Sequence, residues 1–268
     1  MGAVDDGGPE PGQAVDSDVD GGFVDGAAMS VPSADVIRWG RERVKTGTWR
    51  GDQEVAFLAP VADAPLPSAD FLRRCLATLA DRGFSRVVTA ALSPLEQGGF
   101  LAAGFEVEER LHLLAIDVRA LPPVPTGLKV RRLGWHQRSA VLDVDRAAFD
   151  PFWQFDEASL GDALRATPRT RFRGSPVPGD ESRLAAYVIS GRAGARGFVQ
   201  RLAVHPDYQH QGLGRGLLLD GLWWMRRRGV SRAVVNTQMG NDNALSLYQQ
   251  VGFRREPAGL SVLSAGLR

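Results

Sequence analysis

Residues 204–218, VHPDYQHQGLGRGLL, combine three glycines, two glutamines and an arginine between an apolar run and a helical pattern. A preceding strand must stop at Pro206, because proline has no N–H to donate to a sheet. A helix that begins after Gly212 leaves the N–H groups of its first turn without a partner in the helix. Gly212 and Gly214 lack the β-carbons that would keep a ligand away, and Arg215 adds positive charge to that of the helix dipole. The segment therefore predicts a cradle for a phosphate or diphosphate.

Two other phosphate-binding patterns fit this segment less well. A P-loop requires Lys followed by Ser or Thr after its glycines, and GLGRGLLL contains neither. A dinucleotide-binding fingerprint requires G-x-G-x-x-G and an acidic residue about twenty positions later. Here the spacing is G-x-G-x-G, and residues 231–238 contain no acid. The glycines could also permit close packing of helix on strand, which would leave Gln209, Gln211 and Arg215 unexplained.

Two motifs in this part of the chain resemble those of one enzyme superfamily. LAVHPDYQHQGLGRGLL resembles motif A of the GNAT superfamily of N-acetyltransferases, Gln/Arg-x-x-Gly-x-Gly/Ala, with Gln209, Gly212 and Gly214 at its defining positions. NDNALSLYQQVGF resembles motif B of the same superfamily. Motif B falls on Asn241, Ala244, Leu247, Tyr248, Gly252 and Phe253. Two motifs at the usual separation are a stronger signal than either alone, and the resemblance covers residues 128–268.

The resemblance implies that acetyl-CoA binds as a co-substrate between two splayed parallel strands, GFVQRLAV and SRAVVNTQ. It places the pantetheine arm along the backbone of Leu202, Ala203 and Val204. Asn241 and Ala244 approach the arm from the other side. The residues implied for the diphosphate are Gln209, His210, Gln211, Gly212, Leu213, Gly214 and Arg215.

The resemblance also implies a general acid. Tyr248 matches the tyrosine that protonates the departing CoA thiolate in such enzymes. From the residues alone, Tyr248 could equally be a half-buried tyrosine of an amphipathic helix. Asn241 could likewise be a helix N-cap, a role that does not exclude contact with the cofactor.

The general base is harder to assign. Many GNAT enzymes carry a glutamate on the strand before motif A, but GFVQRLAV contains no acid. The segment AFDPFWQFDEASL mixes acids with aromatic residues and follows the first helix, where the fold places the acceptor pocket. The candidate acceptor-binding residues are Asp150, Phe152, Trp153, Asp156 and Glu157. A surface loop with buried aromatic side chains is the alternative interpretation.

The chain is expected to hold four segments. Residues 1–33 are rich in Gly and Asp and predict a disordered acidic leader, with Met29 as an alternative translation start. Residues 34–118 predict a smaller α/β half, residues 119–127 a Pro-rich linker, and residues 128–268 a GNAT acetyltransferase domain. The fold class is α/β (α+β), a mixed sheet flanked by helices.

The two halves share an internal echo. LADRGFSRVVTAAL aligns with WMRRRGVSRAVVNTQ, and FLAAGFEVEE aligns with LYQQVGFRRE. The first half is therefore interpreted as a degenerate GNAT copy, a layout that resembles mycothiol synthase, whose strand glutamate falls at Phe198. Convergence of two generic segments is the alternative. Within the halves, ADVIRWGRERV has helical spacing and GSPVPGDES predicts a turn.

Composition narrows the class of protein. The seven acids of residues 1–28 leave 24 acidic against 32 basic residues in the rest of the chain. Nearly all of these bases are dispersed arginines, a pattern that does not favour nucleic-acid binding. No apolar run predicts a membrane span or signal peptide, the lone Cys75 excludes an internal disulfide, and no metal-ligand pattern occurs, so a cytoplasmic location is expected.

Together these features predict an N-acetyltransferase that acts on a primary amine of a small molecule, a protein N-terminus or a lysine. A non-catalytic acyl-CoA sensor is the alternative. The sequence favours neither a monomer nor a homodimer.

Overall fold

The computed structural model describes residues 35–61 and 63–267. The predicted acidic leader, residues 1–33, lies outside the described residues. The first half alternates strands with two helices. Its elements are β1 (Asp35–Trp39), β2 (Glu42–Trp49), β3 (Asp52–Pro60), α1 (Ala69–Asp81), β4 (Arg86–Thr89), α2 (Pro94–Ala102) and β5 (Glu106–Asp117).

The second half follows the segment 118–130. Its elements are β6 (Arg131–Arg132), α3 (Arg138–Ala148), α4 (Glu157–Arg165), β7 (Arg169–Val177), β8 (Asp180–Ala193), β9 (Arg196–Val204), α5 (Leu213–Arg226), β10 (Arg232–Gln238), α6 (Asp242–Val251), β11 (Arg254–Arg255) and β12 (Leu260–Gly266). Short 3₁₀ turns lie at Trp135–Gln137, Pro151–Trp153 and Pro206–Tyr208.

The described strands form one mixed sheet in the order β1-β2-β3-β4-β12-β5-β10-β9-β8-β7-β6, with β11 paired to β5. Only β3–β4 and β9–β10 are parallel pairs among those described. In the second half, alternate residues of β8 face opposite cores. Val188 packs with α5 and α6, whereas Tyr187 and Ile189 pack with α3 and α4. The mixed sheet flanked by helices confirms the predicted fold class.

The two halves exchange strands. β5 belongs to the first half but lies between β10 and β11 of the second. β12 belongs to the second half but lies between β4 and β5 of the first. Leu114 on β5 is fully buried in the core of α5 and α6, and Leu263 on β12 is fully buried against α1. Each half therefore completes the sheet and core of the other.

The sequence segments that are similar in the two halves form the same secondary-structure elements in the same order. The order α1-β4-α2-β5 repeats as α5-β10-α6-β11. In both copies the phenylalanine after the glycine donates its N–H to a carbonyl five residues back, from Phe105 to Phe100 and from Phe253 to Tyr248. Phe100 is thus the first half's counterpart of Tyr248.

Two expectations about local structure are wrong. ADVIRWGRERV is a hairpin of β1 and β2 rather than a helix, because Gly40 has φ +59° and turns the chain between residues rich in β-branched side chains. GSPVPGDES is not a turn throughout, since β7 continues to Val177 and the turn contains Gly179. Pro176 is tolerated there because the register of β7 shifts on both sides of it.

None of the helices in the described part of the chain is long and apolar enough to span a bilayer.

Candidate functional site

A cleft opens where β9 and β10 separate. The two strands pair only from Arg196 to Phe198 on β9. Beyond that point β10 stays with β5 to its end at Gln238, and β9 stays with β8 to Val204. The register of β9 on β8 skips Gln200, which makes this residue a bulge at the point of separation. Bulges bend a strand and leave one residue unpaired, which accounts for the divergence.

Both strands, α6 and an aromatic loop line this cleft. The lining residues are Leu111, Phe149, Trp153, Val199, Gln200, Arg201, Leu202, Val235, Asn236, Thr237, Gln238, Asn241, Ala244 and Tyr248. Leu202, Ala203 and Val204 pair with β8 on one edge of β9, and their other edge lies beyond the last residue paired to β10. That edge can bond an extended ligand as a strand would.

The glycine segment ends at a helix N-terminus without a side-chain cap. Gly212 is the N-cap residue of α5 with φ +80°, and a β-carbon on it would meet nothing within 4 Å. His210 also has a positive φ, +60°, which is uncommon for a residue with a β-carbon. The first-turn N–H groups of α5 have no partner within the helix. The conformation at Gly212 therefore leaves open space beside them.

Gly214 has a different role from Gly212. A β-carbon there would lie 3.3 Å from Val204 Cγ2 and 3.4 Å from Leu247 Cδ2. Close packing of α5 on β9 and α6 thus explains Gly214, as one of the sequence interpretations allowed. Gln209 donates from Nε2 to the carbonyl of Val204 at 3.3 Å, which ties the segment back to the end of β9.

The other implied diphosphate ligands lie around the same helix end. His210 and Gln211 are exposed, Leu213 is buried, and Arg215 is half-buried. Arg215 has no ion pair recorded among residues 35–61 and 63–267. Its charge is therefore free to face an anion.

Asn241 is the N-cap residue of α6, Tyr248 lies within this helix, and both residues line the cleft. Asn241 Oδ1 accepts the N–H of Ala244 at 3.0 Å, so this residue is an N-cap as well as a cleft residue. Tyr248 is 6% exposed and its ring centroid lies 5.7 Å from that of Phe253. Burial raises the pKa of Tyr248 to about 12, while Arg201 opposes the rise. The phenol is therefore protonated at neutral pH and can donate.

The five candidate acceptor-binding residues are not brought together. Trp153 lines the cleft, while Phe152 packs on Trp49 with ring centroids 5.2 Å apart. Asp156 caps α4 by accepting the N–H of Ser159. Glu157 lies 3.8 Å from Arg138, and Asp150 is exposed. Within the lining described above, only Trp153 represents this group.

A buried ionic network beside the cleft was not predicted. Asp145 on α3 is fully buried and accepts from Arg201 Nε and Nη2, both at 2.8 Å, and from the hydroxyl of Tyr187. Arg201 also donates to the carbonyl of Trp153 at 2.6 Å and stacks over Phe149 at 3.5 Å. The network fixes the aromatic loop against β9. Because 56 residues separate Asp145 from Arg201, no local pattern could reveal the pair.

The first half also reaches this site. Arg50, in the turn between β2 and β3, donates to the carbonyls of Trp153 and Gln154 and lies 4.8 Å from the ring centroid of Trp49. Burial, then the charge of Arg201, lowers the pKa of Arg50 to about 9. Arg50 has a positive φ of 50°, and its residue type gives no indication of this conformation in the sequence.

Comparison with known proteins identifies the part of the chain that forms this site. The model of the Acetyltransferase (GNAT) family matches residues 141–253, from within α3 to the second residue after α6. Residues 141–253 are therefore similar to the GNAT acetyltransferase family. The splayed strands, the uncapped α5 and Tyr248 all lie inside the matched residues. Among the described residues, no group of three or more His, Cys, Asp or Glu side chains could hold a metal ion.

The relatives that this chain matches are acetyltransferases named for different acceptors. The chain is 29% identical over 165 residues to mycothiol acetyltransferase of Rhodococcus opacus (strain B4), covering 57% of this chain and 50% of that protein. It is 35% identical over 71 residues to the [ribosomal protein bS18]-alanine N-acetyltransferase of Escherichia coli (strain K12), covering 26% of this chain and 48% of that protein. The chain thus spans about half the length of these curated relatives.

A solved structure matches nearly the whole chain. The tandem GNAT protein from the clavulanic acid biosynthesis pathway superposes with a TM-score of 0.64 at 13% identity, covering 90% of this chain and 85% of that one. At this identity the likeness concerns the fold alone. The likeness of fold extends over the first half as well as over the residues that the family model matches.

Proposed function

We propose that the protein transfers an acetyl group from acetyl-CoA to a primary amine. The observation that carries this proposal is the bare N-terminus of α5 beside the end of β9, where Gly212 has φ +80° and a β-carbon on Gly214 would lie 3.3 Å from Val204 Cγ2. First-turn N–H groups and the helix dipole bind a diphosphate there. The free edge of β9 from Leu202 to Val204 binds the pantetheine amides.

Acetyl-CoA, when bound, supplies the acetyl group as a thioester. Tyr248 lines the cleft and is protonated at neutral pH, so its hydroxyl can give a proton to the departing thiolate. The attacking amine loses one proton as the N–C bond forms and the C–S bond breaks. That proton can restore the tyrosine, which leaves the side chain unchanged at the end of the reaction.

A Gly212→Val variant tests the cofactor site. The left-handed backbone at Gly212 is strongly disfavoured for a β-branched residue, so the α5 N-terminus must change conformation. We expect acetyl-CoA affinity, measured by calorimetry, to fall at least 100-fold. Gly98→Val is the matched control, because Gly98 is an exposed helical glycine with open space around it. Equal affinity for wild type and Gly212→Val would contradict the site.

Release of CoA across a panel of amines separates the two functional classes. An N-acetyltransferase releases CoA with at least one amine and yields the N-acetyl product by mass spectrometry. A sensor binds acetyl-CoA with the same dependence on Gly212 but releases none. We propose the enzyme, because Tyr248 lies on the cleft itself, where a proton donor to sulfur is needed.

A further inference from the structure

The turn between β2 and β3 of the first half lies against the aromatic loop of the second half, residues 149–156. Its two central residues, Arg50 and Gly51, both have positive φ angles, +50° and +81°, as a type I′ turn requires. Asn and Asp are favoured at the first of these positions, and a positive φ is uncommon for arginine. A strained residue that persists where two parts of a chain meet indicates a role for its side chain.

Side chains of this turn bond three consecutive carbonyls of the aromatic loop. Trp49 donates from Nε1 to the carbonyl of Phe152 at 3.3 Å. Arg50 donates from Nη1 to the carbonyl of Trp153 and, at 3.2 Å, to that of Gln154. The guanidinium carbon of Arg50 also lies 5.3 Å from the ring centroid of Trp153, within the range of a cation–π contact. The first half therefore holds both the backbone and a ring of the loop.

Gly51 lets the turn approach the end of the same loop. A β-carbon on Gly51 would lie 2.7 Å from Oδ2 of Asp156, a distance that non-bonded atoms do not tolerate. The carboxylate of Asp156 is itself held, because its Oδ1 accepts the N–H of Ser159 at 2.8 Å and caps α4. The contact between the turn and the loop therefore requires glycine at this position.

The loop connects the turn of the first half to the cleft. Phe149 and Trp153 of the loop line the cleft, as does Arg201 of β9. Arg201 donates to the carbonyl of Trp153 at 2.6 Å, and Arg50 donates to the same carbonyl. One carbonyl of a cleft residue thus accepts a hydrogen bond from a guanidinium group of each half.

The cleft residues of the loop lie apart from the residues proposed to bind the cofactor. The pantetheine is proposed to bind the edge of β9 from Leu202 to Val204, and the diphosphate the N-terminus of α5. Phe149 and Trp153 belong to neither of these places. Since both line the cleft, they are left to contact the amine.

We infer that Arg50 of the first half is a positioning residue for the amine, which acts by holding the aromatic loop of the second half in place on the cleft. The inference rests on the proposed acetyl transfer and gives the first half a part in it. Arg50 is not among the described residues that line the cleft, so its effect passes through Trp153. Loss of its guanidinium group impairs the reaction with the amine and leaves acetyl-CoA binding intact.

An asparagine variant tests the guanidinium group. Arg50→Asn removes it and introduces a residue that a type I′ turn favours. The amine is the best of a panel of glucosamine, spermidine and peptides with a free N-terminus or a free lysine. We expect kcat/KM for this amine to fall on the order of 100-fold, the cost of a small misplacement of positioning groups. Acetyl-CoA affinity in calorimetry should be unchanged. Arg41→Asn is the matched control, because Arg41 is an exposed arginine in the two-residue turn between β1 and β2.

Two glycine variants test the contact while keeping the side chain of Arg50, and they serve if Arg50→Asn fails to fold. Gly51→Ala and Gly40→Ala each add a β-carbon to a hairpin glycine with positive φ, +81° and +59°. The first β-carbon would meet Asp156, whereas nothing lies within 4 Å of the second. We expect Gly51→Ala to have a kcat/KM for the amine at least about tenfold below that of Gly40→Ala. Backbone strain alone would affect both variants alike.

Thermal unfolding and turnover together distinguish positioning from a purely structural role. A lower unfolding temperature with unchanged kcat/KM in folded Arg50→Asn and Gly51→Ala would overturn the inference. A parallel loss of acetyl-CoA affinity would also overturn it, because the cofactor site would then be disturbed. Wild type that binds acetyl-CoA but releases no CoA with any amine of the panel would contradict the proposed transfer and the inference together.

Discussion

The helices that connect the two strands of each parallel pair, α1 between β3 and β4 and α5 between β9 and β10, begin in opposite ways. Ser68 caps α1 by accepting the N–H of Phe71, and the carboxylate of Glu42 accepts the N–H and hydroxyl of Ser68. The first half thus supplies its own anion at the helix end. At α5 the cap is Gly212, which has no side chain to offer. The same helix position is capped by side chains in one half and has no side-chain cap in the other.

The strands beside these helices differ in the same sense. β3 and β4 remain paired from Arg86 to Thr89, and Ala90 adds a further bond to Leu58. β9 and β10 pair over three residues and then part. Phe100, without a hydroxyl, stands where the second half has Tyr248. In its described residues, the first half keeps this order of elements while its parallel strands stay paired, its helix α1 is capped and the tyrosine hydroxyl is replaced by Phe100.

The largest expected effect is a difference in kcat between a variant of Tyr248 and a variant of its first-half counterpart, Phe100. Tyr248→Phe removes the proton donor and is expected to lower kcat about 10²–10⁴-fold, the usual contribution of a general acid. Acetyl-CoA affinity should change little in calorimetry, because the ring remains. Phe100→Leu, the matched change in the first half, should leave kcat unaltered. If Tyr248→Phe turns over at the wild-type rate in single-turnover kinetics, the two positions do not differ in chemistry.

The next effect concerns the strands that the two halves exchange and is measured as a change in the free energy of unfolding. Leu114 is fully buried between the sheet and α6 although it belongs to the first half. Leu114→Ala is expected to lower the free energy of unfolding by about 2–5 kcal/mol, as for other buried leucines. Denaturant titration measures this, with exposed Leu95→Ala as the control. If β5 supports the second half, denaturant should unfold both halves in a single transition, and acetyl-CoA binding should be lost in that same transition.

A smaller effect tests the closed helix end. Ser68→Ala removes the cap of α1 and is expected to cost about 0.5–2 kcal/mol of stability. The calorimetric stoichiometry should stay at one acetyl-CoA per chain, since the β3–β4 strands remain paired. A second bound acetyl-CoA in wild type or variant would show that the first half retains a site.

The smallest effect is an expected absence of change with pH. The pKa of Tyr248 is raised to about 12, so the donor form dominates below that value and is lost only as pH rises through it. We therefore expect no fall in kcat from this group between about pH 7 and 10. A pH–rate profile measured with saturating amine checks this, and a fall that Tyr248→Phe abolishes would place the pKa lower.

The sequence predicted the elements around the site well where local signals were strong. Gly212, Asn241 and Gly252 mark the ends of α5 and α6, and their caps appear where the motifs indicate. The hairpin at Gly40 was misread because Val36 and Ile37 also suit helical spacing over a short stretch. The buried network beside the cleft was not predicted. Asp145, Tyr187 and Arg201 meet only through folding, and neither charge pattern nor spacing connects them.

The interleaved strands also constrain the order in which the molecule can assemble. Leu111 on β5 pairs with Leu260 on β12, so the centre of the sheet cannot close until both ends of a long intervening chain are available. Until then β4 and β5 present unpaired backbone edges of the kind that invites association with other chains. Such distant pairing slows folding, because loop entropy is lost before the contacts form. Separating the two halves genetically would create two open sheets rather than two independent proteins.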